Sequence, residues 1–105
     1  MPESSERGAL TEAVYYIMLA LCSPLHGYGI MQRVKELRND RVNLGAGTLY
    51  GAINTLVIKG WIIPKKGASN SRKKEYEISD LGRDILKIEI ERLKELINNG
   101  EILLK

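Results

Sequence analysis

The sequence is poor in the residue types from which disulfide frameworks, metal centres and catalytic triads are built. Its 105 residues include one cysteine, Cys22, and one histidine, His26. A lone cysteine excludes an intramolecular disulfide and a cysteine-cluster zinc site. A lone histidine leaves little from which to assemble a histidine metal site or a Ser-His-Asp triad. We therefore predict no catalytic residues, no metal site and no cofactor, and we do not expect an enzyme.

Long apolar runs and a signal sequence are absent as well. No apolar stretch reaches the roughly 18 residues that a membrane-spanning helix needs, and residues 1–7 lack the basic start and apolar run of a signal peptide. Phenylalanine is absent, so five tyrosines and one tryptophan supply all the aromatic rings. With 44% hydrophobic and 28% charged residues, the chain is typical of one folded domain. We expect a cytoplasmic protein that does not enter a membrane.

Hydrophobic periodicity predicts three short helices in the first 60 residues. Apolar residues recur every three or four positions in stretches that begin near Ala9, Gly27 and Thr48. Ser23-Pro24 ends the first helix because a residue before proline leaves the helical region, and Gly60 ends the third. Three short helices joined by tight turns indicate a helix-turn-helix, in which the third helix, at about 47–59, would lie in the major groove of DNA.

A β-hairpin and a long helix are predicted to follow. Tyr76 and Ile78 alternate with charged residues, as in a half-buried strand, and Pro64 restricts the first strand to an edge or a bulge. Ser79 caps a last helix from Asp80 to about residue 98. The predicted fold class is mainly α with a small β-hairpin, a winged helix-turn-helix plus a C-terminal dimerisation helix. Its parts are a flexible leader (1–8), the DNA-binding domain (9–79) and the dimerisation helix with a tail (80–105).

Positive charge is concentrated in one segment. Residues 1–58 hold five basic and five acidic side chains, residues 75–105 hold five basic and eight acidic ones, and residues 59–74 hold six basic and none acidic. Because such cations neutralise phosphates and release counterions, we predict that the basic wing, residues 64–74, binds DNA phosphates. An exposed solubilising loop is the alternative. The six basic residues are Lys59, Lys65, Lys66, Arg72, Lys73 and Lys74.

The third helix is predicted to present a small, polar and uncharged face. This face consists of Thr48, Tyr50, Gly51, Asn54 and Thr55. Hydroxyl and amide groups contact phosphates and base edges, as Asn54 would contact an adenine. Gly51 has two interpretations, a close approach of DNA or a tolerated helix glycine that costs about 1 kcal/mol relative to alanine.

Two apolar stripes can be drawn on the last helix. The first, Leu81, Ile85 and Ile88, can pack against the chain's own helix-turn-helix. The second has nothing left in 105 residues to cover it, and consists of Leu86, Ile90, Leu93 and Ile97. Exposed apolar surface costs about 25 cal/mol per Å², so the second stripe predicts a homodimer through the same helix of another copy. The alternative is a monomer with one wide buried face.

Three motifs resemble the PadR family over about residues 10–90. They are LHGYGI at 25–30, GTLY at 47–50 and KEYEIS at 74–79, with Gly82 shortly after. The resemblance implies a winged-helix transcriptional regulator, usually a repressor, that dimerises through a C-terminal helix and can bind a small-molecule effector. It implies DNA-facing positions for Tyr28, Thr48 and Tyr50. The sequence departs from the family at Gly51, where proline is usual, and at Asn54-Thr55, where basic residues are common.

Three aromatic residues allow more than one interpretation. Tyr15 and Tyr16 are adjacent on the first helix, so we expect only one of them to face the core and the other to reach the dimer interface or DNA. Trp61 follows the end of the third helix and is either an anchor of the core or part of an effector pocket.

The predicted function is sequence-specific binding of double-stranded operator DNA by a transcriptional regulator, most simply a dimeric repressor. Winged helices also serve as protein-interaction modules without specific DNA binding, which is the alternative. A docking domain has no need for six cations and no acid in one segment, so the charge distribution favours DNA.

Overall fold

A computed structural model describes residues 9–38, 44–66 and 74–105, with Lys66 described by its backbone alone. These ranges hold four helices and three strands. In chain order they are α1 (Glu12–Ala20), β1 (Leu25–His26), α2 (Gly27–Leu37), α3 (Ala46–Lys59), β2 (Ile62–Lys66), β3 (Lys74–Ile78) and α4 (Asp80–Leu103). The mainly α fold with a small sheet is confirmed. The predictions for the leader, Arg72 and Lys73 fall outside the described residues.

Side-chain caps fix the starts of three helices. The Thr11 hydroxyl accepts a hydrogen bond from the Val14 N–H at the start of α1. His26 Nδ1 accepts from the Gly29 N–H at 3.3 Å and caps α2, while the Ser79 hydroxyl accepts from the Gly82 N–H at 3.0 Å and caps α4. Each cap satisfies a backbone donor that has no partner within its helix.

The end of α3 is set by a glycine, as predicted. Gly60 has a φ of 78°, a left-handed conformation that is costly for residues with a Cβ atom. Its N–H bonds back to the Val57 carbonyl. Strand β2 begins two residues after Gly60, so the hairpin starts beside the C-terminal end of α3.

The sheet has a third strand that the sequence analysis missed. The strand order in the sheet is β1-β3-β2, and both pairs of neighbouring strands are antiparallel. Strand β1 has two residues, Leu25 and His26, which is too short to produce a recognisable alternation. Pro64 lies in the edge strand β2, as predicted.

The hydrophobic core draws on every helix and on both long strands. Its buried members are Ile17, Met18, Ala20, Leu21, Ile30, Val34, Leu49, Ile53, Leu56, Ile62, Ile78 and Leu86. The prediction that Leu86 belongs to a dimer interface is therefore wrong, since this side chain is 5% exposed and packs within its own protomer. Leu81 and Ile88 of the first stripe, which we predicted to pack against the chain's own helix-turn-helix, are instead 49% and 61% exposed.

Helix α4 is longer than predicted. It continues through Asn98-Asn99-Gly100 to Leu103 and includes 24 residues, about 36 Å at 1.5 Å per residue. Asparagine and glycine are poor helix formers, but each costs only up to about 1 kcal/mol, which a long helix tolerates. Every residue from Lys94 onwards is exposed. No helix of the described residues is long and apolar enough to cross a membrane.

A buried carboxylate ties α4 to the start of the chain. Glu89 is 4% exposed, accepts a hydrogen bond from the Leu10 N–H at 3.3 Å and pairs with Arg92 at 2.6 Å. The Arg92 guanidinium lowers the pKa of the Glu89 carboxyl below its usual range, and the Leu10 N–H acts in the same direction against the effect of burial. The buried Glu89 carboxylate thus has both a hydrogen-bond donor and a countercharge within the protomer.

The two adjacent tyrosines of α1 both pack partly against the core. Their rings meet edge to face with centroids 5.7 Å apart, and the guanidinium of the buried Arg38 lies over the Tyr16 ring at 5.7 Å. The expectation that one of the two turns away from the core is wrong, because each ring is half-buried.

Candidate nucleic-acid interface

Helix α3 presents its polar side to solvent. Leu49, Ile53 and Leu56 are buried on one side, which leaves Thr48, Tyr50, Gly51, Asn54 and Thr55 exposed, as predicted. The sequence analysis missed Ile58, which is 77% exposed. Isoleucine is apolar, so periodicity alone does not distinguish this position from a buried one.

Tyr50 is positioned by a glycine of another helix. A Cβ atom added at Gly27 would overlap the Tyr50 hydroxyl and lie 2.7 Å from the Cζ atom of its ring. The phenol therefore rests against the first residue of α2 while about half of the side chain, 52%, stays exposed. The contact brings the 25–30 and 47–50 motifs together in space.

Tyr28 lies beside this contact at the start of α2. Its side chain is 63% exposed, and its hydroxyl accepts a hydrogen bond from Gln32 Nε2 at 2.7 Å, one helical turn further on. The predicted residues Tyr28, Thr48 and Tyr50 are thus all accessible to a partner.

The two strands of the wing hairpin, β2 and β3, have an inner face that turns towards α3. Side chains alternate between the two faces of a sheet, and the β2–β3 register pairs Ile62 with Ile78 and Pro64 with Tyr76. Ile62 and Ile78 are buried in the core, so Pro64, Tyr76 and Lys74 share their face. Lys74 is exposed near the far end of this face.

The outer face of the wing carries charges of both signs. Ile63, Lys65, Glu75 and Glu77 alternate with the inner residues and lie on this face. Lys65 Nζ pairs with Glu77 Oε1 at 2.9 Å, which neutralises one of the cations that we predicted to bind phosphate. Of the wing cations whose side chains the structure describes, Lys65 and Lys74 therefore lie on opposite faces with different surroundings.

A notch of about 220 Å³ separates α3 from the inner face of the wing. We call it the α3–wing notch, and its lining residues are Tyr50, Ile53, Asn54, Val57, Pro64, Lys74 and Tyr76. The structure thus brings together three of the predicted site residues, Tyr50, Asn54 and Lys74. Tyr76 is a lining residue that the sequence analysis missed, although its place two residues after Lys74 on one strand puts both on the same face.

Lys59 is not part of this notch. Its ammonium lies 5.0 Å from the centroid of the Trp61 ring, and both residues line a separate cleft of about 300 Å³ with Leu10, Val14 and Thr55. Trp61 is half-buried and packs against the core. It therefore serves as a core anchor and also lines a cleft, so both interpretations of this residue retain support.

Among the described residues, no cluster of three histidine, cysteine or acidic side chains is arranged to hold a metal ion. The lone Cys22 is exposed at the end of α1. His26 uses its Nδ1 atom as the cap of α2.

Comparison with known proteins identifies the family. A sequence model of the transcriptional regulator PadR-like family matches residues 17–88. None of the curated proteins compared with the chain matches it.

Solved structures agree with this assignment. A transcriptional regulator from Clostridium thermocellum is 20% identical with a TM-score of 0.73, and the match covers 89% of each chain. A PadR family transcriptional regulator from Eggerthella lenta is 22% identical with a TM-score of 0.70, covering 88% of this chain and 80% of that one. Bacillus subtilis PadR in complex with operator DNA is 24% identical with a TM-score of 0.61, covering 73% of this chain and 45% of that one. At these identities the likeness shows the fold.

Proposed function

The chain belongs to the transcriptional regulator PadR-like family, and from this premise we propose that it binds double-stranded operator DNA, with α3 in the major groove and the wing on the phosphate backbone. A relative of the same fold, Bacillus subtilis PadR, has been solved with operator DNA. The chain is a transcriptional regulator and not an enzyme, and the comparisons do not favour a protein-interaction module without DNA binding. Action as a repressor and a cytoplasmic location are part of the proposal.

The observation that carries the proposal is the meeting of an exposed polar helix face with a basic side chain at one notch. Tyr50 and Asn54 supply hydroxyl and amide groups from α3, and Lys74 supplies a cation from the wing. Helix α3 has 14 residues, about 21 Å at 1.5 Å per residue, which is long enough to lie in a major groove. The helix would read bases while the wing holds the backbone.

We further propose that the working unit is a homodimer formed by the second half of α4. A seven-residue pattern, apolar except at Glu89, runs along this helix at positions 82, 86, 89, 93 and 96, a spacing typical of helices that pack side by side. Its first members, Gly82, Leu86 and Glu89, are buried within the protomer. The next two members of the pattern are Leu93, which is half-buried, and Leu96, which is exposed.

Several apolar side chains beyond the core lie on or beside this pattern. Leu96, Ile97, Leu103 and Leu104 are 53%, 60%, 83% and 86% exposed. Ile90 and Leu93 are half-buried, so of the predicted interface Ile90, Leu93 and Ile97 remain and Leu86 does not. A second copy on a two-fold axis would cover this surface and place two α3 helices for two DNA half-sites. A small-molecule effector, as implied by the family resemblance, stays a prediction.

Duplex binding measured across salt concentrations tests the DNA proposal. We expect a labelled random-sequence duplex to bind at low salt. The logarithm of its association constant should fall linearly with the logarithm of the salt concentration, and each contacted phosphate should add about 0.9 to the steepness of this salt slope. Asn54→Ala is expected to reduce discrimination between sites more than it reduces binding to random DNA. Absence of duplex binding at low salt would show that DNA is not the partner.

A further inference from the structure

The polar groups of the α3–wing notch have no partners within the described part of the chain. The side chains of the lining residues Tyr50, Asn54, Lys74 and Tyr76 form no hydrogen bond or ion pair there, in contrast to the side chain of Lys65, which pairs with Glu77. The notch that these groups line is open to solvent. They are therefore available to a ligand without the loss of an internal bond.

The chemistry of the notch is that of a hydrogen-bond donor set. A lysine ammonium donates only, tyrosine hydroxyls donate readily, and an asparagine amide donates through its nitrogen. None of the described residues that line the notch carries a carboxylate, because Glu75 and Glu77 lie on the outer face of the wing. A phosphodiester is an anion that only accepts hydrogen bonds, so it complements this set, whereas a base edge carries donors as well as acceptors.

We propose that the α3–wing notch is the seat of one backbone phosphate of the bound DNA, held by Lys74, by the Tyr76 hydroxyl and by Tyr50. The inference rests on the proposed function and goes beyond it. It assigns Tyr76 as a DNA-binding residue, and it divides the wing into an inner face that holds DNA and an outer face that does not.

The fold prepares Tyr76 for this role. The residue lies in the central strand β3, between Leu25 of β1 and Pro64 of β2, and its ring packs partly against the core. A side chain fixed in this way loses little conformational entropy when its hydroxyl binds. The apolar residues Ile53, Val57 and Pro64 complete the notch, where the deoxyribose next to the phosphate would lie.

Lys65 is the natural comparison. It belongs to the same hairpin and carries the same charge as Lys74, but it lies on the outer face and is paired with Glu77. If the wing attracted DNA through its net charge alone, Lys65 and Lys74 would contribute alike. If the inner face holds a phosphate, Lys74 contributes more than Lys65 does.

The experiment compares Lys74→Gln, Lys65→Gln and Tyr76→Phe in duplex binding across salt concentrations, with circular dichroism to confirm that each variant is folded. Lys74→Gln is expected to lower affinity by about tenfold and the salt slope by about 0.9, the effect of one phosphate contact. Tyr76→Phe should lower affinity roughly threefold to tenfold with an unchanged salt slope, because it removes one hydrogen bond and no charge. Lys65→Gln should reduce both quantities by less than Lys74→Gln does.

The outcomes separate this inference from the proposed function. Equal losses for Lys65→Gln and Lys74→Gln, or an unaltered affinity for folded Tyr76→Phe, would overturn the phosphate seat while the protein still binds DNA. A wild-type protein that binds no duplex would overturn the proposed function and the seat with it.

Discussion

The phenol of Tyr50 lies against the α-carbon of Gly27, where a side chain would overlap its hydroxyl. The contact joins the first residue of α2 to the first turns of α3. The helix that we propose to enter the major groove therefore has its one aromatic ring held by the preceding helix. The pairing explains why a glycine stands at position 27.

Gly27→Ala is expected to displace the Tyr50 ring and to weaken DNA binding without unfolding the protein. The new methyl group would compete with the far end of a side chain that can rotate away. We expect affinity to fall roughly tenfold, about as much as for Tyr50→Ala, through loss of a hydrogen bond and a ring contact. Once Tyr50 is alanine, Gly27→Ala should have little further effect, because the two changes act on one contact. Anisotropy titrations of the four proteins measure this directly.

Gly29→Ala is the matched control for this cycle. It places the same methyl group two residues further along α2, where the nearest atom is Leu25 Cδ2 at 3.3 Å, the mobile end of a side chain. DNA affinity should stay close to that of the wild type. Additive losses in the Gly27→Ala, Tyr50→Ala double variant would show that Gly27 affects binding by another route.

The homodimer predicts opposite results for two similar substitutions on α4. Leu96 and Ile102 are 53% and 57% exposed, but helical geometry places Leu96 on the apolar pattern and Ile102 on the opposite side. Leu96→Glu should therefore yield monomers of 11.8 kDa, because a charge in the interface has no partner. Ile102→Glu should remain a dimer. Light scattering at micromolar concentration distinguishes the two, and a wild-type monomer or identical behaviour of both variants would contradict this interface.

The Glu89 carboxylate predicts a loss of stability in acid. Hydrogen bonds from Arg92 and Leu10 hold its pKa below the usual range, so the folded state releases this proton more readily than the unfolded chain. Its contribution is complete above the ordinary glutamate pKa of about 4.3 and is lost as the pH falls through the lower pKa of the folded state. Urea unfolding at fixed protein concentration should show this decline in the wild type and less of it in Glu89→Gln. The exposed-site change Glu101→Gln should leave the decline intact; an equal decline in Glu89→Gln would exclude this origin.

The features that sequence could predict are those set by neighbouring residues. Ser79 and Gly60 specify where α4 begins and α3 ends, because a capping side chain or a left-handed turn acts within a few residues. Alternation identified β3 in the same way. The polar face of α3 followed from the positions of Leu49 and Ile53 at helical spacing.

The features that sequence could not predict depend on distant parts of the chain. Two stripes on α4 were equally apolar, and only the position of the core shows that Leu86 is inside while Leu81 is outside. In the same way, alternation separates Lys65 from Lys74, but only the sheet register and the packing against α3 show which of them faces the notch. Tyr76 was missed because its contribution depends on this placement.

Selection of bound sequences from a random pool of double-stranded DNA, with the purified protein, tests DNA recognition most directly. We expect enrichment of sequences with two related half-sites whose centres lie about one helical turn apart, 10–10.5 base pairs, as two α3 helices on a two-fold axis require. A pool that shows no enrichment, from a protein that also fails to retain duplex DNA at low salt, would contradict the assignment of this chain as a DNA-binding regulator.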